Sequence, residues 1–349
     1  MIDARLLDVI MAGEAGLLVI ALLFFLLHGA WLHRGARERR DLRASGRVSL
    51  ARVVAPSGAA SPEDVAHLRA LPERVQIPLF TELSKNLAGE QKVALRELAR
   101  SLGLVHRARR HCESRRWTRR LRGARFLAQI GEPDPLVLSL LRDSHPAVRA
   151  QAAEWAGTEA SPAVVARMLE LLADPATLSR FAVQDALLRM GELMVVPLAQ
   201  YLVLQDGAAV VAGLRVAAAT GDRRFIEIAL HFSHDAAADG EAAALCAELL
   251  ASIGGTEAAA RLIEMLDHDV EWTQVAAVRG LGRMRHWPAA SRLSGMLAHP
   301  RWKVRHAAAL ALRSIGAPGV LLLRRARAAE SSASAEIARL VLDLPESVR

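Results

Sequence analysis

Apolar residues recur along this chain at helical spacing and stop at glycines. Reading back 12, 9, 8, 5, 4 and 1 positions from Gly103 gives Gln91, Ala94, Leu95, Leu98, Ala99 and Leu102. The same offsets from Gly191 give Ser179, Ala182, Val183, Ala186, Leu187 and Met190. From Gly254 they give Ala242, Leu245, Cys246, Leu249, Leu250 and Ile253, and from Gly316 Val304, Ala307, Ala308, Ala311, Leu312 and Ile315. These offsets mark one face of an α-helix, and glycine after the last periodic residue is the common left-handed C-cap. Gly131 and Gly221 close two further copies, and Ala160 and His286 take the glycine's place in two more. The eight reference positions stand 28 to 33 residues apart.

A second, shorter amphipathic segment lies between these helices in most units, as in 257–266 and 289–298. A turn follows it: Asp267-His268-Asp269, His299-Pro300, His145-Pro146 or Asp174-Pro175. Asp, His and Pro suit a helix stop and the N-cap of the next helix. Each unit is thus a helical hairpin that cannot bury its apolar stripe alone, so neighbours stack. The last unit needs a polar outer face, and 331–349, with Ile337, Leu340, Val341 and Leu344 on one side, suits that cap.

The N-terminus carries a different pattern. Residues 15–32 read AGLLVIALLFFLLHGAWL. As a helix they would extend about 27 Å at 1.5 Å per residue, close to the hydrocarbon thickness of about 30 Å. Asp3, Asp8 and Glu14 precede the run, while Arg34, Arg37, Arg39, Arg40, Arg43 and Arg47 follow it. Basic flanks stay on the cytoplasmic side, and a secretory signal would show the reverse order. The expectation is one transmembrane helix over 15–32, with 1–14 outside and a basic segment and linker over 33–61. A helical solenoid over 62–349 would then lie in the cytoplasm, its C-terminal cap at 331–349.

The repeat is similar to a known family. Its closest copies are His299-Pro300 with Val304-Arg305 and Ala307–Ala309, and His145-Pro146 with Val148-Arg149 and Ala152-Ala153. This resembles the short HEAT repeats common in bacteria, over about residues 74–330. The resemblance implies an all-α, right-handed α-solenoid of about eight hairpins. It also implies a membrane-anchored scaffold at the bacterial inner membrane that binds a protein partner, such as an envelope or polysaccharide-synthesis component. HEAT-like lyases and DNA glycosylases share the solenoid, but no matching active-site constellation occurs here.

Charge refines this picture. The formal net charge is +8. Residues 34–52 contribute +5 and 100–125 contribute +9, leaving the rest at −6. Such a chain is mildly acidic with two basic segments, unlike a uniformly basic nucleic-acid binder. Arg109, Arg110, Arg115, Arg116, Arg119, Arg120 and Arg122 form a candidate surface for anionic lipid or an acidic partner, with nucleic acid the weaker reading. The exposed face of successive second helices is the candidate partner surface: Arg149, Gln184, Arg215, Glu248, Gln274, Arg279 and Arg305. Arg149 and Arg305 also suit a structural ladder between neighbouring turns. Asp267-His268-Asp269 reads as a capping turn rather than a metal triplet. Cys246 occupies a core slot, and the spacing of His106, His111 and Cys112 does not suit a metal site. No catalytic residues, metal ligands or cofactor are expected.

Overall fold

The computed structural model describes residues 21–25, 40–55, 61–158, 161–235, 240–328 and 333–345. Its regular elements are helices. Two compact units divide the chain at Pro133 and Asp134.

The first unit contains a helix over 40–54 (α1), α2 (Pro62–Ala70), α3 (Glu73–Ser84), α4 (Gly89–Ser101), α5 (Leu104–Cys112) and α6 (Trp117–Ile130). The expected linker over 33–61 is therefore partly helix. Leu50 and Val54 of α1 are buried. Gly46 lies so near Leu71 and Leu79 that a Cβ there would meet Leu71 Cδ1 at 2.7 Å. Helices α5 and α6 make the tightest hairpin of this unit. Gly123 permits it, since a Cβ at that position would lie 2.5 Å from the Ala108 carbonyl oxygen.

The second unit contains α7 (Leu136–Leu140), α8 (Pro146–Ala156), α9 (Pro162–Glu170), α10 (Thr177–Met190), α11 (Glu192–Val203), α12 (Gly207–Thr220) and α13 (Ile226–Asp235). It continues with α14 (Gly240–Ile253), α15 (Gly255–Glu264), α16 (Glu271–Arg283), α17 (Ala290–Gly295), α18 (Trp302–Ile315), α19 (Ala317–Ala328) and α20 (Ala333–Leu342). The even-numbered helices α8 to α18 pack side by side, each on the next, as one layer. The shorter odd-numbered helices form the other layer. The core between them is the set the periodicity marks: Val183, Leu187, Leu249, Leu250, Val304, Ala308 and Leu312 are buried. Small residues let the second helices approach closely, as a Cβ on Gly282 would meet the Ala311 Cα at 2.8 Å. Helix α20 closes the stack, and Arg313 donates to the Val341 and Pro345 carbonyls at 2.9 Å each.

The turns share one construction. Ser114 Oγ, Asp143 Oδ1, Asp174 Oδ1, His268 Nδ1 and His299 Nδ1 each accept from the backbone N–H two residues ahead, at 2.8–3.3 Å. This local bond fixes the chain in a turn before the helix begins. In the α8 repeat the equivalent residue is Asp143, two positions before the expected His145. His145 makes a further bond of the same kind to the Ala147 N–H at 3.2 Å. Six residues after the turn residue, Arg120, Arg149 and Arg305 each send Nη1 back to two turn carbonyls at 2.8–3.1 Å.

One C-cap also differs from expectation. Arg285, not His286, takes the left-handed conformation, with φ 50°. Its N–H reaches the Gly282 carbonyl and the His286 N–H reaches that of Leu281, both at 3.0 Å. Gly131 and Glu132 bond in the same way. With Arg285 as the reference, this repeat lies 31 residues from Gly254 and 31 from Gly316.

The expected transmembrane helix is corrected. Among the described residues no helix is long and apolar enough to cross a membrane. Within 15–32 the described residues are 21–25, and they are helical. Residues 15–20 and 26–32 lie outside the described residues. The inner-membrane, single-pass, N-terminus-out placement rested on that span and is not supported either.

Candidate partner-binding face

The outward side of the second-helix layer centres on offsets −13 and −6 from the reference positions, and on α10 it widens to −10 and −3. On α10 these are Leu178, Phe181, Asp185 and Leu188, all exposed. On α12 and α14 the face is narrower in side-chain volume: Ala208, Val211 and Ala218 on one, Ala244 on the other. Arg215 of α12 pairs there with Glu241 of α14, while Glu248 stands exposed beside them. Surface pairs of this kind contribute little stability, so they chiefly set the local charge.

At α16 and α18 the face becomes aromatic and basic. Trp272 is 59 % exposed and Trp302 54 %. The Lys303 ammonium lies 4.2 Å from the centroid of the Trp272 ring, a cation–π contact worth about 0.5–1 kcal/mol at an exposed site. Trp302 stacks on His306 with ring centroids 4.8 Å apart and planes 8° from parallel. Each indole thus has a covered side and an open side. The His306 pKa is lowered, first by burial and then by the positive charge of Arg279.

The candidate contact residues divide between this face and the interior. Arg215, Glu248 and Arg279 lie on the exposed face. Gln184 and Gln274 are buried, and Gln274 Nε2 donates to the Leu266 carbonyl at 3.3 Å. Arg149 is turned inward: Nε and Nη2 hold both oxygens of Asp174 at 2.6 and 2.9 Å. Arg305 turns Nη1 to the His299 and Pro300 carbonyls. Arg149 therefore joins its own turn to the next one, as the expected ladder would, while Arg305 bonds only the turn of its own repeat. Trp272, Trp302, Lys303 and His306 were not singled out from sequence. Their signal was a bulky residue at offset −13 or −14, where the outward face of a helix is ordinarily polar.

The arginine-rich segment in the first unit divides similarly. Arg120 is spent on the turn carbonyls, and Arg109 stands 3.8 Å from the buried Glu132, which Arg100 also holds at 2.9 Å. Arg110, Arg115, Arg116, Arg119 and Arg122 are exposed. Arg122 lines an open groove of ≈ 670 Å³ between α3 and α6, together with Glu73, Arg74, Ile77, Arg125 and Phe126. The Asp267-His268-Asp269 triplet is a capping turn, with His268 Nδ1 occupied by the Val270 N–H. Among the described residues no cluster of three His, Cys, Asp or Glu side chains could hold a metal ion. Burial pushes the Cys246 thiol up to about 12, despite the opposing charge of Arg261.

In the second unit, two stacked layers of helical hairpins, α7 to α20, make an α-solenoid with a variable outward face. Residues 223–313 and 259–340 match the HEAT repeats family. No curated protein sequence matches the chain. Among solved structures, a mutant of Kap121p aligns with a TM-score of 0.53 at 12% identity, covering 88% of this chain and 42% of that one. That likeness shows the fold alone. The CpcE–CpcF complex of phycocyanin lyase from Nostoc sp. PCC7120 aligns with 21% identity and a TM-score of 0.36, covering 60% of this chain and 92% of that one. Human deoxyhypusine hydroxylase aligns with 17% identity and a TM-score of 0.27, covering 88% and 97%.

Proposed function

We propose that the chain is a non-enzymatic adaptor that binds a segment of a partner protein along the outward face of α10 to α18. The observation carrying this reading is the run of exposed large apolar side chains in repeat register: Leu178 and Phe181 on α10, Trp272 on α16 and Trp302 on α18. Exposed large apolar side chains are unfavourably hydrated, and exposed aromatic ones are characteristic of binding hot spots. The α8 and α18 repeats fix their helices from within, through the turn bond and an arginine returned to the turn carbonyls, which leaves their outward positions free to serve recognition.

Helix α11 in the other layer also exposes Leu193, Val196 and Val203, so the test must separate the two faces. A photo-crosslinking amino acid is placed singly at Phe181, Trp272 or Val196 of the full chain, expressed in its own cells. The reading expects one and the same protein adduct from positions 181 and 272, and none from 196. Adducts from 196 alone, or none from 181 and 272, would refute it.

A further inference from the structure

We infer that the α16–α18 end of this face takes an acidic, extended segment in polyproline II conformation, with apolar residues three apart. This deepens the adaptor reading and rests on it. Two independent features of the patch lead to it.

The first is charge. Lys303 and Arg279 face outward, and neither has a carboxylate partner among the described residues. The His306 pKa is lowered first by burial and then by the charge of Arg279, which lies close enough to act on it. One helix further on the sign reverses, with Glu248 on α14 and Glu241 already paired to Arg215. A partner with carboxylates over α16 and α18 is therefore attracted, and one with lysines there is repelled. A long polyanion such as nucleic acid is disfavoured, because its next phosphates would meet Glu248.

The second is the placement of the rings. Trp272 and Trp302 occupy the first turns of neighbouring helices, whose axes stand about 8–10 Å apart in such packing. A polyproline II segment has three residues per turn and a rise of about 3.1 Å. Residues i and i+3 therefore lie on one side, about 9 Å apart, comparable to that axis spacing. An ordinary β-strand places i and i+3 on opposite sides. Lys303 and His306 already hold one side of each indole, so little side-chain freedom is lost when a ligand covers the other. Prolines stacked on the open sides would set the intervening carboxylates near Lys303 and Arg279.

The test uses the full chain and fluorescein-labelled 12-residue peptides read by polarisation. One peptide carries two prolines three apart among Asp and Glu. A second replaces its acids by Lys, a third keeps its composition with the prolines adjacent, and a single-stranded 12-mer oligonucleotide serves as the fourth probe. We expect the first to bind at least tenfold tighter than each of the others. Trp272→Ala with Trp302→Ala should weaken it tenfold or more, and Arg279→Glu with Lys303→Glu should reverse the preference for acid over base. Both indole sites are exposed, so far-UV circular dichroism should be unchanged. The indole emission of the unmutated chain should also shift on titration, which checks the site without any substitution. Equal binding of the acidic and basic peptides, tighter binding of the oligonucleotide, or indifference to the double variants overturns the inference. If crosslinking at position 272 still captures the partner, the adaptor reading survives that failure.

Discussion

Removing the Arg149 guanidinium tests whether the ladder or the apolar core sets the stability of the α8–α10 junction. The Arg149 side chain is 14 % exposed and that of Asp174 3 %. Arg149→Met keeps the apolar stem and deletes both contacts to Asp174 and both to the Asp143 and Ser144 carbonyls. Breaking a buried pair from one side costs about 3–5 kcal/mol, because the remaining charge stays buried. Asp174 would keep the Ala176 N–H and the Ser179 hydroxyl, which favours the lower end of that range. The cost should fall locally, since repeats interact with nearest neighbours. Urea titration by circular dichroism, with hydrogen exchange in α8 and α10, reads it. Arg149→Met with Asp174→Leu should be less destabilised than the two singles summed, by about 1–3 kcal/mol. The acid limb gives a second check. Burial raises the Asp174 pKa, but the Arg149 hydrogen bond, the Ala176 N–H, the Ser179 hydroxyl and the Arg149 charge together outweigh it and lower the value. A depressed carboxylate contributes stability above its unfolded pKa of about 3.9 and loses it as pH falls through the folded value. That acid-side loss should shrink in Arg149→Met. A cost under about 1 kcal/mol, or strict additivity with Asp174→Leu, would show that the ladder is incidental.

Three further outcomes follow from the packing. Gly282→Ala places a Cβ 2.8 Å from the Ala311 Cα, and should destabilise the α16–α18 pair by about 1–3 kcal/mol, seen as a lower urea midpoint. Arg285→Gly removes a left-handed strain of about 1–2 kcal/mol, offset in part by glycine's greater freedom when unfolded, and should raise that midpoint slightly. The Cys246 thiol, buried and pushed up to about 12, should react with a disulfide reagent at pH 8 only as fast as the chain opens, and promptly in denaturant.

The interior of this fold was legible because it repeats. Val304, Ala308 and Leu312 fall at the same offsets as Val183, Leu187 and their counterparts, and burial follows those offsets. The errors arose where one repeat stands apart from the rest. Ala94, at an apolar offset before Gly103, is exposed on α4, because an alanine's small side chain carries little information about facing. Arg285 takes a glycine conformation, and a rule keyed to glycine passed over it. The helix over 40–54 was hidden by its arginines: Leu50 and Val54 give it a buried stripe, but it has no repeat partner in the sequence to reveal it. Hydropathy alone suggested a span at 15–32, and the described helices do not include one. Trp272 and Trp302 were missed for a related reason. Periodicity identifies what faces inward, and an exposed tryptophan at an outward offset does not disturb that pattern.

The separation of the ladder from the outward face explains how such a chain can be recast for different partners. Arg149 and Trp272 differ by only two offsets along their respective helices, −11 and −13. On a 3.6-residue helix two positions correspond to about 200° of rotation, so one points into the turn and the other into solvent. Changes at −13 and −6 therefore leave the turn bonds, the C-cap and the buried stripe untouched. The face uses that freedom, passing from apolar and uncharged at Leu178 and Phe181, through the Arg215–Glu241 pair, to aromatic and basic at Trp272, Trp302 and Lys303. A partner segment lying along these helices would meet those chemistries in sequence. Specificity would then reside in their order, so exchanging Leu178 and Asp185 of α10 with Trp272 and Arg279 of α16, all exposed, should alter partner choice while leaving the unfolding transition nearly unchanged.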